Sequence, residues 1–264
     1  MDSLPFQTAV TSYGVNLCLR ADRAARLAHF EKFWPYGCRE TREKRFDRVY
    51  SIVEAGDGGL RLYADSRKIS ESDDAEDLCQ RFRAHAQLYI AATTDQRVFI
   101  HAGVVAFRNG AILVPGRSLA GKTSLVAEFI KAGAIYFSDE YAVLDARGRV
   151  HPFPRPLSIR HRRTGKQRDV PVTSLGGQAA AKPAPVRLIL ATKHRKGARW
   201  QPTVAGVGEA IRALTLNAVS IRRNPAAALQ AIARASAGAK VLKGARGEAR
   251  QLVRDVMNRF PHLL

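Results

Sequence analysis

The sequence has little cysteine and no long apolar run, and each absence excludes a class of protein. Its three cysteines, Cys18, Cys38 and Cys79, are odd in number and form no C-x-x-C pair, which argues against a disulfide framework and a structural zinc site. No apolar stretch approaches the roughly 18–20 residues that cross a bilayer. The first residues also lack the basic and apolar regions of a secretory signal. We therefore expect a cytoplasmic protein without a membrane partner.

Acidic residues are scarce relative to basic ones. The 264 residues include 43 Lys and Arg against 23 Asp and Glu, which gives a formal net charge of +20. Such a charge suits nucleic acid, an anionic surface or an acidic or phosphorylated substrate. No zinc finger, basic zipper or RNP-type aromatic motif accompanies it. Nucleic acid therefore stays open on charge alone, beside the alternative of a solvated basic surface.

Apolar residues are abundant enough to form a core. A hydrophobic fraction of 46% with 8% aromatic residues excludes wholesale disorder, and the length allows one or two domains. The patterns predict an α/β fold class, with a small α/β domain over residues 1–97 and a second domain over residues 98–264.

Residues 1–97 alternate between strand and helix patterns. Strand-like segments are Phe6–Leu19, Val49–Ala55 and Gly59–Ala64, and the pair Asp57-Gly58 predicts a hairpin turn between the last two. Helical spacing covers Ala21–Phe33 and Asp74–Ala92, and Asp73 or Asp74 can cap the second helix.

Residues 98–264 begin with apolar strands and end with helices. Strand patterns are Arg97–Phe107, Ala111–Pro115, Ala134–Phe137, Tyr141–Asp145, Arg149–Phe153 and Val186–Ala191. Helical patterns are Lys122–Lys131, Val207–Ala218, Pro225–Ala237 and Ala245–Phe260. Gly133, just past the first of them, is expected to form its C-terminal cap. Between about residues 160 and 185 the composition predicts a mobile basic loop, since RHRRTGKQR holds five Arg or Lys in nine residues.

A phosphate-binding pattern lies between the strand AILVP and the helix that follows it. Residues 116–123 read Gly-Arg-Ser-Leu-Ala-Gly-Lys-Thr, which fits G-x-x-x-x-G-K-[ST]. The two glycines let several backbone N–H groups converge on phosphate oxygens, and the helix N-terminus favours the same anion. Lys122 would reach the β- and γ-phosphates, and the Thr123 hydroxyl would bind Mg²⁺. The candidate nucleotide-binding residues are Gly116, Arg117, Ser118, Leu119, Ala120, Gly121, Lys122, Thr123 and Ser124. The alternative is a glycine-rich turn that binds nothing.

Two adjacent acids follow the next predicted strand. Asp139 and Glu140 come directly after Ala134–Phe137, and functional groups collect at the carboxyl ends of strands in open α/β sheets. Two acids can divide two roles, holding Mg²⁺ and accepting a proton from an attacking hydroxyl. The alternative is a solvent-exposed turn. Upstream, His101 lies inside an apolar strand, where a lone histidine is usually structural.

The line from residue 100 to residue 153 resembles the catalytic domain of the HPr kinase/phosphorylase family. A histidine-glycine strand, a hairpin, the phosphate loop, a helix, a strand and an acidic pair follow in that order. His101 precedes Lys122 by 21 residues, and Asp139 follows it by 17. The resemblance implies a P-loop kinase domain with a mixed β-sheet that uses ATP and Mg²⁺. It places His101 on the γ-phosphate side, and one of Asp139 and Glu140 becomes the general base while the other assists the metal.

The chain looks closer to the divergent HPr-kinase-like proteins of bacterial gene clusters. Those proteins join a small N-terminal α/β domain to the kinase domain, and they carry a Ser-Asp-Glu motif followed by a Pro-Leu-Ser-like segment, here within Phe153–Arg160. Some of these relatives phosphorylate a serine hydroxyl of a peptide natural-product precursor. Arg155 and Arg160 are candidates for clamping substrate or phosphate, or they are solvated arginines beside a proline-rich turn.

Together these observations predict a kinase that transfers the γ-phosphoryl group of ATP to a hydroxyl acceptor, with a serine on a peptide or small protein as the expected acceptor. The predicted catalytic residues are Lys122, Asp139, Glu140 and His101, and the predicted metal ligands are Thr123 and Asp139. Two alternatives stay open: a nucleotide-binding regulatory module with little transferase activity, and a basic ATPase associated with nucleic acid. A homo-oligomer is also compatible with the sequence.

Overall fold

The computed structural model describes residues 4–56, 58–108, 110–117, 120–160 and 167–263. The chain divides into two compact units, Met1–Gln96 and Arg97–Leu264. Both are of the α/β class and contain mixed sheets. Among the described helices, none combines the length and the apolar character needed to span a bilayer.

The N-terminal unit is a six-stranded sheet with two helices. Its strands are β1 Phe6–Ser12, β2 Val15–Ala21, β3 Arg39–Glu40, β4 Arg48–Glu54, β5 Leu60–Ala64 and β6 Arg67–Ser72, in the order β3-β1-β2-β4-β5-β6. The helices are α1 Ala24–Phe30, continued by a 3-10 turn Glu31–Phe33, and α2 Ala75–Thr93. The β2–β4 pair is parallel, and the other pairs are antiparallel. Phe82 of α2 packs edge-on against Tyr50 and Trp34 in the core of this unit.

Local signals predicted most of this unit. Asp74 caps α2, since its carboxylate accepts hydrogen bonds from the N–H groups of Glu76 and Asp77. The strands on either side of the predicted Asp57-Gly58 turn pair as a hairpin, although Asp57 itself lies outside the described residues. The predicted strand Phe6–Leu19 is two strands, because Tyr13 and Gly14 both have positive φ. The first helix was predicted to begin at Ala21, which instead ends β2 opposite Phe6.

The C-terminal unit contains ten strands and four helices in its described residues. The strands are β7 Val98–Phe107, β8 Gly110–Pro115, β9 Ile135–Ser138, β10 Tyr141–Leu144, β11 Val150–His151, β12 Leu157–Arg160, β13 Gln167–Val170, β14 Val186–His194, β15 Thr203–Ala205 and β16 Lys240–Arg246. The helices are α3 Lys122–Lys131, α4 Val207–Thr215, α5 Pro225–Ala237 and α6 Ala249–Arg259.

The main sheet of this unit has the order β11-β10-β7-β8-β14-β16-β15, and β9 also pairs with β7. Strands β8, β14 and β16 are mutually parallel, whereas the β7 pairs and the β15–β16 pair are antiparallel. Alternate residues of the central strands face opposite sides. One side packs on α4 and α5, and the other packs on α3 and α6. The predicted turn at Arg108-Asn109-Gly110 joins β7 to β8, with Asn109 outside the described residues and Phe107 opposite Gly110.

Two predictions for the C-terminal unit are wrong. The segment predicted as a loop, about residues 160–185, contains strand β13. Gln167–Val170 pairs with Leu157–Arg160, and a 3-10 turn follows at Val172–Leu175. These two strands form a separate two-stranded sheet, and because backbone pairing needs no apolar side chain, the basic composition did not reveal it. Residues 161–166 of that segment lie outside the described residues. The last helix was predicted to begin at Ala245, but Lys240–Arg246 forms a strand beside β14 and the helix begins at Ala249.

Gly103 lets helix α3 lie close to strand β7. A β-carbon at this position would lie 2.7 Å from Val126 Cγ2 and 3.5 Å from Lys122 Cβ. Since Val126 is buried in the layer between helix and sheet, it has no free space into which to move. A small residue at position 103 therefore sets the separation of α3 from the sheet.

We expect Gly103→Ala to lower the free energy of unfolding by about 1–3 kcal/mol, because the added methyl overpacks this contact. Gly208→Ala is the matched control: Gly208 is in helix α4, where an added β-carbon meets nothing within 4 Å. That control should be neutral or stabilising by about 0.5 kcal/mol. Chemical denaturation of both variants tests the prediction, and equal stabilities would contradict the close approach.

Candidate active site

The loop between β8 and α3 begins the candidate site. The Gly116 N–H donates to the His101 carbonyl at 3.0 Å, which fixes the start of the loop against β7. Gly121 has φ +75°, a left-handed conformation that favours glycine. Helix α3 then begins at Lys122. The strand and helix that the phosphate-binding pattern requires are thus present on both sides of the loop, while Ser118 and Leu119 lie outside the described residues.

Lys122 is folded back over this loop. Its side chain is buried, and its Nζ donates to the Arg117 carbonyl at 2.9 Å. Burial lowers the pKa of Lys122, and the negative charges of Glu140 and Asp139 oppose that shift. The ammonium group therefore lies at the loop, in the electrostatic field of the acidic pair. By contrast, Arg117 and Ser124 are exposed.

The acidic pair lies in a bulge on the other side of β7. Strands β9 and β10 both pair antiparallel with β7, and the residues between them interrupt the pairing. The Ser138 hydroxyl accepts hydrogen bonds from the N–H groups of Glu140 at 3.1 Å and Tyr141 at 3.0 Å. The Ala102 N–H donates to the Glu140 carbonyl at 3.1 Å. A bulge of this kind redirects side chains locally, and here it carries both acids.

Three donors fix the carboxylate of Asp139. Its Oδ2 accepts from Thr123 Oγ1 and from the Ser158 N–H, both at 3.1 Å, and its Oδ1 accepts from the Tyr136 hydroxyl at 3.2 Å. The residue is only 3% exposed. The Tyr136 hydroxyl has one proton to share between Asp139 and the Arg155 carbonyl, which lies 2.8 Å away. The Asp139 carboxylate is therefore held at the start of α3.

Glu140 lies in a different environment from its neighbour. Its side chain is 27% exposed, and its Oε2 is 3.5 Å from Arg155 Nη1. His101 Nδ1 lies 3.7 Å from Glu140 Oε1, beyond ordinary hydrogen-bond distance. Burial raises the pKa of Glu140, against the opposing charge of Arg155, and the charge of Asp139 adds to the rise. Burial and the charge of Lys122 lower the pKa of His101, so its imidazole is neutral at neutral pH.

The residues predicted to hold Mg²⁺ have suitable donor chemistry. Mg²⁺ prefers oxygen ligands, and it is usually bound through one or two carboxylates together with waters and substrate phosphates. The Thr123 hydroxyl and the Asp139 carboxylate supply such oxygens side by side. Across the described ranges, no group of three or more His, Cys, Asp or Glu side chains is arranged to hold a metal. The pair therefore fits a magnesium ion that is shared with phosphate rather than a site built from protein ligands alone.

Arg246, at the end of β16, is a site residue that sequence reasoning missed. The residue is 3% exposed, and its Nη2 donates to the carbonyls of Ala120 at 2.9 Å and Gly121 at 3.0 Å. A β-carbon on Gly121 would lie 2.5 Å from the same nitrogen. Burial lowers the pKa of Arg246, and the charge of Glu248 opposes the shift. The guanidinium thus supports the loop from its protein side.

The structure brings most of the predicted residues together at one edge of the sheet. Lys122, Thr123, Asp139, Glu140, His101 and Arg155 form a connected cluster. Arg160 ends β12, and its side chain lies outside the described residues. Besides Arg246, sequence reasoning missed the roles of Tyr136, Ser138 and Ser158. For Ser158 a signal existed, since it belongs to the Pro-Leu-Ser-like segment.

The chain matches no protein-family model and none of the curated proteins with which it was compared. The resemblance of residues 100–153 to the HPr kinase/phosphorylase family therefore stays a prediction from sequence. The geometry of the site does not depend on that resemblance, because it follows from the contacts of this chain.

We expect Arg246→Ala to loosen the loop, since the variant removes both hydrogen bonds to the Ala120 and Gly121 carbonyls. Losing such buried hydrogen bonds costs about 1–3 kcal/mol in the free energy of unfolding. Amide exchange at residues 121–125 should also become faster. Arg254→Ala, on the exposed side of α6, is the control and should change stability by less than about 0.5 kcal/mol. If exchange in the loop were the same in both variants, Arg246 would not support it.

Proposed function

We propose that the chain is an ATP- and Mg²⁺-dependent kinase of the HPr-kinase type, which transfers the γ-phosphoryl group to a serine hydroxyl on a peptide or small protein. The observation that carries the proposal is the 3.1 Å hydrogen bond from Thr123 Oγ1 to Asp139 Oδ2. It joins the phosphate-binding pattern to the acidic pair, and phosphoryl transfer needs both at one place. A cytoplasmic location and possible self-association accompany the proposal as predictions from sequence.

The loop would hold the nucleotide. The glycine-rich pattern and the N-terminus of α3 would offer backbone N–H donors and a favourable dipole to the phosphates. Lys122 Nζ, now on the Arg117 carbonyl, can exchange that partner for phosphate oxygens. Mg²⁺ held by Thr123 and Asp139 would supply charge neutralisation on the same oxygens. Arg246 would keep the carbonyls of Ala120 and Gly121 turned away from the phosphates, because its Nη2 donates to both.

The two acids differ in a way that assigns their roles. Asp139 already accepts three hydrogen bonds and is almost fully buried, so its carboxylate suits the metal side. Glu140 is more exposed, and its pKa is raised, as suits a base that must reach an incoming hydroxyl. We therefore assign the general base to Glu140. Arg155 orients the Glu140 carboxylate from one side, and the neutral His101 lies on the other.

The proposed reaction is an in-line displacement. The serine oxygen forms a bond to the γ-phosphorus while the bond from that phosphorus to the β,γ-bridging oxygen breaks. The serine proton passes to the Glu140 carboxylate, and ADP leaves beside Lys122, whose charge, with that of Mg²⁺ when bound, would neutralise the leaving phosphate. Catalysis in such a step comes mainly from positioning and electrostatic stabilisation. The buried, hydrogen-bonded cluster supports both.

A transfer assay with γ-labelled ATP tests the proposal. We expect wild type to label a serine-containing acceptor in a peptide pool or lysate, and Lys122→Ala and Asp139→Asn to lower labelling by about a hundredfold or more. Lys131→Ala changes an exposed lysine at the far end of the same helix and should keep full activity. If wild type binds ATP and labels no acceptor, the chain is better explained as a regulatory module.

The pH dependence tests the assignment of the base. Because the pKa of Glu140 is raised, kcat/KM should fall as the pH drops through a value above that of an ordinary glutamate, about 4.3. Glu140→Gln should lower the rate by about 10²–10⁴-fold and remove this acid limb. Glu128→Gln on α3 is the control and should keep the limb. An unchanged limb in Glu140→Gln would assign the base to another group.

A further inference from the structure

A cluster of exposed basic residues lies at the end of strand β14 and in the turn that follows it. It comprises Lys193, His194, Arg195, Lys196 and Arg199, and we call it the basic turn. In the described part of the chain, no carboxylate lies within the 4.0 Å ion-pair distance of any of them. This differs from other surface cations of the unit, such as Arg212 and Lys243, which both pair with Glu209. Among the described residues, no ion pair therefore neutralises the positive charge of the basic turn.

The basic turn lies at the same edge of the sheet as the candidate active site. Strands β14 and β16 are parallel, with His194 beside Arg246, and the Arg195 N–H donates to the Arg246 carbonyl at 2.8 Å. The side chain of Arg246 in turn contacts the loop carbonyls of Ala120 and Gly121. One residue thus separates the basic turn from the proposed nucleotide loop.

The backbone of the basic turn is held in place. Gly197 has φ +75°, and the Ala198 N–H donates to the Arg195 carbonyl at 3.0 Å. The Ala198 carbonyl packs on Gly247 so closely that a β-carbon there would lie 2.4 Å from the carbonyl oxygen. Trp200, only 3% exposed, anchors the end of the segment in the core. A fixed backbone lowers the entropy cost of binding at such a surface.

We infer that the basic turn is the docking surface for an acidic segment of the peptide acceptor, an inference that rests on the proposed function. Several weak ion pairs acting together would hold the acceptor beside the loop. The turn offers single-stranded nucleic acid no stacking platform, because residues 193–199 contain no Phe, Tyr or Trp and the ring of Trp200 is buried. The chemistry therefore favours carboxylates on a peptide.

Fluorescence anisotropy with the full chain tests this inference directly. The probe is a labelled peptide with one serine and a run of glutamates, and its partner peptide has glutamine at the same positions. We expect the glutamate peptide to bind, with affinity that falls as salt rises, and the glutamine peptide to bind at least about tenfold more weakly. Lys196→Glu/Arg199→Glu should lose about tenfold in affinity for the glutamate peptide while retaining ATP binding.

The matched control is Arg254→Glu/Arg259→Glu, which makes the same change in net charge on exposed positions of α6 and should bind the peptide as wild type does. Equal losses in both double variants would show a general charge effect and overturn the inference. So would competition between the peptide and ATP with Mg²⁺, or tighter binding of a single-stranded oligonucleotide. Because binding is read without turnover, a failed kinase proposal would appear separately, as bound peptide that is never phosphorylated.

Discussion

Strand β7 pairs along both of its edges, and the candidate site depends on that arrangement. On one edge Ala102 lies opposite Pro115, the last residue before the loop, and on the other edge Val104 lies opposite Ser138, the first residue of the bulge. Strands β8 and β9 both run antiparallel to β7, so their carboxyl ends lie at the same end of the sheet. The loop and the acidic pair are therefore separated by the width of one strand, about 10 Å between the outer strands. Thr123, on a helix held close by Gly103, spans that gap to Asp139.

Charge is concentrated at this edge in groups that have little contact with water. Lys122 and Asp139 are both less than a tenth exposed, and isolated charges in such a place would be costly. Asp139 is compensated by three hydrogen-bond donors, whereas Glu140 has Arg155 nearby at 3.5 Å and a raised pKa. Two adjacent carboxylates thus have different environments, and that difference separates an acid suited to a metal from one suited to a proton. The adjacency of Asp139 and Glu140 in the sequence would not by itself distinguish the metal-binding acid from the base.

Sequence reasoning predicted the elements with strong local signals. Helix α3 was predicted with its observed bounds, because the phosphate-binding pattern marks its start and Gly133, at φ +93°, marks its end. A cap at Asp73 or Asp74 was predicted for the same kind of reason, and Asp74 is the residue that caps α2. Strand β16 was missed, because its only consecutive buried apolar residues are Val241 and Leu242. It lies between β14 and β15 in the sheet. Its parallel partner β14 is about 50 residues away in the sequence, a distance that no local pattern spans.

In the candidate site, too, local sequence signals predicted some residues, and contacts between distant parts of the chain were missed. Lys122 and Thr123 follow from residue types at fixed spacings, and Asp139 follows from its place directly after a predicted strand, so all three could be named in advance. Tyr136 and Ser158 act through hydrogen bonds to Asp139, and only the folded positions of β9 and β12 bring them there. Arg246 is the extreme case, since its contacts to the loop carbonyls join residues 126 and 125 positions apart. Contacts of this range depend on tertiary structure, whereas the chemistry of the reacting groups can be read locally.

The two sides of β7 carry opposite charge, and this division suits the proposed reaction. Strand β8 leads through the loop to Lys122, whereas the parallel strands β14 and β16 end in the basic turn and at Arg246, so their shared edge is positive. The bulge between β9 and β10 carries Asp139 and Glu140 on the other side. A polyphosphate would be attracted to the first side, and its terminal phosphate would meet carboxylates and a metal ion at the boundary. In the proposed reaction the acceptor hydroxyl would approach that boundary, where Glu140 is the more exposed acid. The chain order of the strands thus places the phosphate-binding pattern and the acidic pair on either side of β7.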